Sequence, residues 1–225
     1  MRFAIPLLAA LALVASAGCG GGDDPAQEEP AALEQRIVTE ADAPGSKPDP
    51  VEKRQMTLDF DEFIDVLGEV AIDPDTEEMT DVFRQAGFEG AIIDTRFFGA
   101  THRPGTPHIV SSVIQLQSEE GAANALEWIE ADSVKPCPKT CAVKISEFDV
   151  NGVPDARGVR RSASAENIEA VGAADDRPFE SYGIGFADGS FVYTLDLHGA
   201  PGSVSEEQAS NIAHSLYERI SDLTG

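Results

Sequence analysis

Apolar residues recur at helical spacing in four segments of the chain. Asp59, with a glutamate three residues later, is typical of a helix start, and Thr76, Ser118 and Ser205 are expected to cap three further helices. The apolar stripes of these four predicted helices are Phe63, Ile64, Leu67, Val70 and Ala71; Met79, Val82, Phe83 and Ala86; Ala122, Ala125, Leu126 and Ile129; and Ala209, Ile212, Ala213, Leu216, Ile220 and Leu223.

Between the helices, short apolar runs and alternating patterns predict strands. The last two strands are joined at Asp188-Gly189, a favoured pair for a tight hairpin turn. Within the final strand, Phe191, Tyr193, Leu195 and Leu197 alternate with Val192, Thr194, Asp196 and His198, so the two sets point to opposite faces. The strands are expected at 88–98, 109–117, 141–150, 156–163, 179–187 and 190–198.

Two strand pairs are each followed by a helix whose start has nearly the same sequence. Segments 118–124 and 205–211 agree at five of seven positions. A duplicated strand–strand–helix unit would explain the match, and so would the general preference for Ser-Glu-Glu at helix starts. Both explanations lead to an α+β fold, with one mostly antiparallel sheet covered by helices on one face.

The N-terminus has the layout of an export signal. A basic residue precedes the apolar run 3–15, which is too short to span a bilayer core of about 30 Å. Segment 17–19 matches the box at which bacterial lipoproteins are cleaved and acylated, although Ser16 stands where Leu is more usual. We therefore expect residues 1–18 to be removed and Cys19 to carry lipid, which predicts a membrane-anchored protein on the extracytoplasmic side. The alternative is an ordinary secretory signal with Cys19 free or disulfide-bonded.

Residues 19–55 differ in composition from the rest of the chain. They are rich in Gly, Pro, Ala and acidic residues, and they lack aromatics and any sustained apolar period. This composition predicts a disordered acidic tether. Residues 56–225 have a length that suits a single globular domain.

The chain is strongly acidic, with a formal net charge of −24. A field of this sign repels phosphate backbones, so the composition excludes a typical nucleic-acid-binding protein. The charge could attract cationic partners or divalent ions, or it could simply keep the protein soluble. Cys137 and Cys141 form an even pair in an exported chain and predict a disulfide, which closes a short ring and contributes only ~2 kcal/mol.

Candidate chemistry is sparse. The chain has no Gly-x-Ser-x-Gly hydrolase motif, and the glycines at 183 and 185 lie along a predicted strand, unlike those of a phosphate-binding loop. His102 and His108 flank a Pro/Gly loop and could share a metal with Asp94, although solvent-exposed loop histidines are the simpler interpretation. We expect no resident metal and no cofactor.

Several short motifs together resemble small exported lipoproteins of actinobacteria. They are Gln115-Leu-Gln-Ser-Glu-Glu-Gly-Ala-Ala, Gly152-Val-Pro-Asp-Ala156 and Phe186-Ala-Asp-Gly-Ser-Phe-Val-Tyr193, followed by a terminal helix. Several such proteins are similar to the PsbP-like α+β class or to extracellular sensor domains of bacterial kinases. The resemblance implies an α+β fold outside the cytoplasm, and no catalytic residue follows from it.

These observations favour a non-enzymatic envelope lipoprotein whose domain binds a small apolar ligand or an envelope protein. We expect the binding surface between the sheet and its helices, flanked by the loop 97–108 and the segment 151–158, with His102, His108 and Asp94 as candidate residues. The alternative is an envelope hydrolase that uses these residues for catalysis. That alternative requires the three side chains to converge within hydrogen-bond reach.

Overall fold

A single antiparallel sheet organises the molecule. The computed structural model describes residues 33–48, 55–70, 75–99, 105–135, 143–171 and 177–223. These residues belong to one compact unit, and every strand pairing among them is antiparallel. The strands are β1 (Ser46–Pro48), β2 (Gln55–Leu58), β3 (Phe88–Phe98), β4 (His108–Leu116), β5 (Lys144–Asp149), β6 (Arg157–Ala163), β7 (Phe179–Asp188) and β8 (Phe191–Gly199). Their order is β1-β3-β4-β8-β7-β6-β5, and β2 also pairs with β3. The predicted α+β class is confirmed.

In the described residues, five α-helices accompany the sheet. The structure contains the four predicted helices and adds a short fifth, α4, that the sequence pattern did not indicate. None of the helices in the described part of the chain has the length and hydrophobicity needed to cross a membrane. The helices are α1 (Phe60–Val70), α2 (Thr76–Gln85), α3 (Glu119–Ser133), α4 (Ala165–Val171) and α5 (Glu206–Ser221).

The predicted helix starts agree with the structure except at α2. The hydroxyls of Ser118 and Ser205 each accept a hydrogen bond from a first-turn backbone N–H at 3.1 Å. At α1, Asp59 Oδ1 accepts from the backbone N–H of Glu62, whose carboxylate accepts in turn from the Asp59 N–H. The prediction that Thr76 caps α2 is wrong, because Asp75 is the cap and its carboxylate accepts from two backbone N–H groups.

The helices cover both faces of the sheet rather than one. Helices α1, α2 and α3 share a core with Ile114 and Val192 on one face, which we call the cavity face. Helix α5 packs with Leu195 and Leu197 on the opposite face, which we call the strap face. The two helices with matching starts, α3 and α5, therefore lie on opposite sides of the sheet. Period-two alternation explains this result, because the central strands carry an apolar residue toward each side.

Residues 33–48, which we call the strap, are part of the fold. The predicted disorder of 19–55 is wrong for this segment, which contains a 3₁₀ turn at Leu33–Gln35 and strand β1 and buries Ile37 and Val38 against the strap face. The remainder of the predicted tether up to Arg54 lies outside the described residues. Irregular backbone with scattered apolar residues has no periodicity, so the pattern did not reveal the strap.

Arginine side chains attach the strap to the domain. Arg219 of α5 donates from Nε to both carboxylate oxygens of Asp42 at 2.9 and 3.1 Å, and from Nη1 and Nη2 to two strap carbonyls. Arg36 of the strap donates to the Tyr193 hydroxyl at 2.8 Å and lies over the Phe191 ring at 4.0 Å. Arg96 of β3 donates to the Ser46 hydroxyl at 3.0 Å. Both Arg36 and Asp42 are almost fully buried.

Candidate functional site

A large cavity lies on the cavity face, between the sheet and helices α1 and α3. Its volume is about 980 Å³, and strands β4, β6, β7 and β8 contribute to its floor. Its position agrees with the expected flanks, because His108, Asp155 and Arg157 all line it. Two of the four large hydrophobic side chains that are exposed in the described residues, Val110 and Val134, also line this cavity.

Two glycines of β7 leave the cavity floor without side chains at their positions. Gly183 and Gly185 alternate with residues that face α5, so both lie beneath the cavity. A Cβ at Gly185 would come within 3.1 Å of Leu126 on α3, and one at Gly183 would meet Arg161 and Asp196 at 3.6 Å. The predicted strand location of these glycines is confirmed. Their contribution to a cavity was not predicted.

The floor changes from polar to apolar along the two central strands. Strands β4 and β8 pair in register, so the cavity-face residues form successive rows across the sheet. The rows are His108 with His198, Val110 with Asp196, Ser112 with Thr194, and Ile114 with Val192. Titratable groups therefore occupy one end, two hydroxyls the middle and buried aliphatic side chains the other end. Helix α1 continues the apolar end with Phe63, Val66 and Leu67.

Asp196 and Arg161 form the charged centre of the polar end. Arg161 Nη1 lies 3.5 Å from Asp196 Oδ2, reaching across the strand that carries Gly183. Arg161 Nη2 also donates to the Ser133 carbonyl at the end of α3, at 3.2 Å. Burial raises the pKa of Asp196, and the opposing effects of Arg161, His198 and His108 do not cancel this shift.

Four rings form a row across the polar end. The His108 and His198 ring centroids are 5.0 Å apart, His108 lies 5.4 Å from Phe97, and His198 stacks on Phe179 at 5.0 Å. Burial, followed by the nearby His108, lowers the pKa of His198, while Asp196 acts in the opposite direction. His108 Nδ1 is 3.2 Å from the Thr106 carbonyl, which can only accept, so in the neutral ring Nε2 is the acceptor.

The rim beside α3 is predominantly acidic. Glu130 Oε2 lies 3.2 Å from Arg157 Nε. Glu127, Glu147 and Asp155 also line the cavity. Burial raises the pKa of Glu130, Arg157 lowers it, and Glu127 and Glu147 raise it further. Within the described residues, no group of three or more His, Cys, Asp or Glu side chains is arranged to hold a metal ion.

The structure separates two of the predicted site residues. His108 lines the cavity, whereas Asp94 pairs with Ser111 and therefore faces the strap side of the sheet. The convergence of Asp94 with His108 that the hydrolase alternative needs is absent, because alternation along β3 and β4 points them to opposite faces. His102, Cys19, Cys137 and Cys141 lie outside the described residues.

The sequence pattern did not identify Asp196, His198, Arg161 and Glu130 as members of one site. The alternation of β8 correctly placed Asp196 and His198 on the face opposite Leu195. Two polar side chains in succession on one face of a central strand are the signal that could have identified them. Central strands are usually covered, so polar residues there indicate a solvated pocket.

Comparison with known proteins identifies the fold. No family model and no curated protein sequence matches the chain. The structure is similar to the extracellular domain of PknH from Mycobacterium tuberculosis, with a TM-score of 0.54 and 13% identity over 86% of this chain and 98% of that one. An uncharacterized protein from Mycobacterium smegmatis, the Rv0999 ortholog, aligns over 81% of this chain and 97% of its own, with 8% identity and a TM-score of 0.38. Of the expected resemblance to exported actinobacterial lipoproteins with a PsbP-like or sensor-domain-like fold, the comparison supports a fold shared with one extracellular domain of an actinobacterial protein.

Proposed function

We propose that this protein is a non-enzymatic envelope lipoprotein whose domain binds a small ligand on the extracytoplasmic side of the cell membrane. The cavity of about 980 Å³ is the observation that carries this proposal. Its size lies at the upper end of the range for small-molecule sites, which are typically apolar with a few placed polar groups. The two hydroxyls in the middle of the floor, Ser112 and Thr194, hydrogen-bond to each other at 2.6 Å. Such a pair is suited to binding a ligand.

The proposed location rests on the N-terminal sequence and on the fold. The signal-like residues 1–18 and the cleavage box before Cys19 support export and acylation. A fold shared with an extracellular domain supports a position outside the cytoplasm. In this arrangement the acyl chains on Cys19 anchor the protein, and the strap is the first described part of the domain after the anchored end.

The binding proposal is tested with a neutral apolar fluorophore. N-phenyl-1-naphthylamine brightens when it leaves water, so its emission reports entry into an apolar cavity. We would use the mature chain from residue 19, with Cys19→Ser so that no acyl chain of its own can enter. Gly183→Leu places a large side chain on the floor of the cavity. Gly183 does not have a positive φ, so its backbone conformation accepts a side chain. Ser146→Leu adds the same side chain at an exposed position of β5 outside the cavity lining.

The mature Cys19→Ser chain and its Ser146→Leu variant are expected to bind the fluorophore. The Gly183→Leu variant is expected to lose most of this binding. Thermal unfolding and near-UV circular dichroism of both variants check that each one folds. Equal binding by a folded Gly183→Leu variant would show that the probe does not enter the cavity, and the proposed site would be wrong.

The proposed anchor and disulfide are tested by mass. We would purify the protein from its own host and measure the N-terminal peptide and the peptide or peptides that contain Cys137 and Cys141. A diacyl or triacyl mass on Cys19, and alkylation of Cys137 and Cys141 only after reduction, are the expected results. An unmodified N-terminus would contradict the lipid anchor, and alkylation without reduction would contradict the disulfide.

A further inference from the structure

We propose that the cavity binds a cationic amphiphile, with an ammonium-type head at Asp196 and an apolar body against α1 and α3. This inference rests on the proposed binding function and names the chemical class of its ligand. It follows from three features of the cavity: the direction of its polarity gradient, the charge balance of its lining, and the excess of hydrogen-bond acceptors at its polar end.

The polarity gradient sets the orientation of the ligand. The paired rows of β4 and β8 change from two histidines to Ile114 and Val192. At the apolar end, Phe63 and Leu126 belong to the same buried cluster as Ile114. An amphiphile that lies along the strands therefore places its apolar part beside α1 and α3 and its head near Asp196. Reversing it would bury a charge among aliphatic side chains, which is strongly unfavourable.

The charge balance selects a cation. Six acidic residues line the cavity against two arginines. The six are Glu127, Glu130, Asp132, Glu147, Asp155 and Asp196, and the arginines are Arg157 and Arg161. Lys135 neutralises Asp132 at 3.0 Å and still leaves an acidic excess. This field repels an anionic head and attracts a cationic one, in a chain whose net charge is already −24.

Hydrogen-bond capacity at the polar end also favours a donor. Both terminal nitrogens of Arg161 already contact protein oxygens, those of Ser133 and Asp196. The groups that can accept are the Asp196 carboxylate and the hydroxyls of Ser112 and Thr194, together with Nε2 of His108 whenever that ring carries its single proton on Nδ1. An ammonium group carries donors and no acceptor, so it complements this set. A carboxylate carries only acceptors and would compete with Asp196 for Arg161.

Trp128 provides an internal probe for the test. It is the only tryptophan of the chain, and it lines the cavity on α3. We would titrate the mature Cys19→Ser chain with octylamine, 1-octanol and octanoate, and follow Trp128 fluorescence at neutral pH. The three probes share one tail and differ only in the head. Octylamine is expected to bind most tightly, octanol less tightly, and octanoate at least about tenfold more weakly than octylamine, which corresponds to 1.4 kcal/mol.

Two variants locate the head. Asp196→Asn is expected to lower the affinity for octylamine to a value close to that for octanol, because the substitution removes the carboxylate and keeps the side-chain size. Asp222→Asn removes one charge from an exposed position at the end of α5, on the other side of the sheet. This control variant is expected to leave the order of the three probe affinities unchanged. Thermal unfolding confirms that both variants fold.

Each other outcome overturns the inference. Equal binding of all three probes would show that the head does not matter, and tighter octanoate binding would show that the site selects anions. An unchanged preference in Asp196→Asn would place the head elsewhere. If none of the three binds while N-phenyl-1-naphthylamine still does, the cationic amphiphile is wrong and the binding function stands. If the fluorophore also fails to bind, both proposals are wrong.

Discussion

The two faces of the sheet are closed in different ways. On the strap face, helix α5 and residues 33–48 cover β8 completely, and Tyr193, Leu195 and Leu197 are at most 1% exposed. On the cavity face, Leu126 of α3 lies over Gly185 of β7, and Asp196 keeps 36% of its side chain exposed. Neighbouring residues of one strand therefore belong to a packed core and to an open cavity.

Under the proposed function, this difference places stability on one face of the sheet and ligand binding on the other. The strap face uses long-range arginine contacts and close-packed aromatic rings, which hold one arrangement of the chain. The cavity face retains a carboxylate whose pKa is raised by burial, a group that costs free energy in the folded state at neutral pH. Residues that lower stability without a packing reason are typical of binding sites.

The largest effect is expected from truncation of the packed face. Leu195→Ala removes a buried side chain that α5 covers, so it should lower the free energy of unfolding by about 2–5 kcal/mol. Val110→Ala truncates an apolar residue of β4 that is 37% exposed in the cavity, and should cost less than about 1 kcal/mol. Urea unfolding of both variants measures the two values. Similar losses would contradict the assignment of one packed and one open face.

Release of the strap is expected to have the next largest effect. Arg219→Ala leaves the carboxylate of Asp42 buried without its guanidinium, which should cost about 3 kcal/mol in urea unfolding. Arg84→Ala is the matched control, because it removes an exposed pair with Asp81 and should cost no more than about 0.5 kcal/mol. If both arginine variants lost the same small amount, the strap would contribute little to the fold.

Tyr193, which accepts a hydrogen bond from the strap, makes the free energy of unfolding depend on pH in the alkaline range. Tyr193→Phe leaves the buried guanidinium of Arg36 without its acceptor and should cost about 1–3 kcal/mol near neutral pH. Burial raises the pKa of Tyr193 from 10.0 to about 12, so its neutral form stabilises the fold below pH 10. This contribution is lost as the pH rises from 10 toward 12, because only the unfolded chain releases the proton in that range. The Tyr193→Phe variant should lack this part of the alkaline decline in urea unfolding experiments.

The smallest effect on stability, and one of opposite sign, is expected at Asp196. Burial raises the pKa of this carboxyl in the folded chain. Above the usual pKa of an aspartate, the unfolded chain therefore carries the charge at lower free energy than the folded chain, and the folded state is destabilised. Asp196→Asn removes this cost, which solvent screening keeps small at this partly exposed side chain, so the variant should be equally stable or slightly more stable at neutral pH. The difference should shrink on acidification. A clear loss of stability in thermal unfolding at neutral pH would show that Asp196 is a structural residue.

Local patterns in the sequence predicted the elements well, because their causes are local. Ser118 and Ser205 cap helices through their own hydroxyls, and the alternation of β8 assigned each of its side chains to a face. The turn between β7 and β8 follows the same logic, with Gly189 at a φ of 57°.

Long-range contacts explain what the sequence did not predict. Arg36 meets Tyr193 across 157 residues, and Asp42 meets Arg219 across 177, so nothing near the strap indicates that it is ordered. Asp94 was grouped with His108 because the register of β3 against β4 is invisible in the pattern, and that register points them to opposite faces. The cavity depends on where α3 crosses the sheet, which its own stripe does not determine.

Nuclear magnetic resonance of the amide groups tests the contrast between the two faces most directly. We would record ¹H–¹⁵N spectra of the mature Cys19→Ser chain during titration with octylamine. We expect shift changes at the Trp128 indole, along α3 and at Gly183, with little change along α5 and in the strap. Changes concentrated in α5 or residues 33–48, or no changes at all, would contradict the assignment of binding to the cavity face.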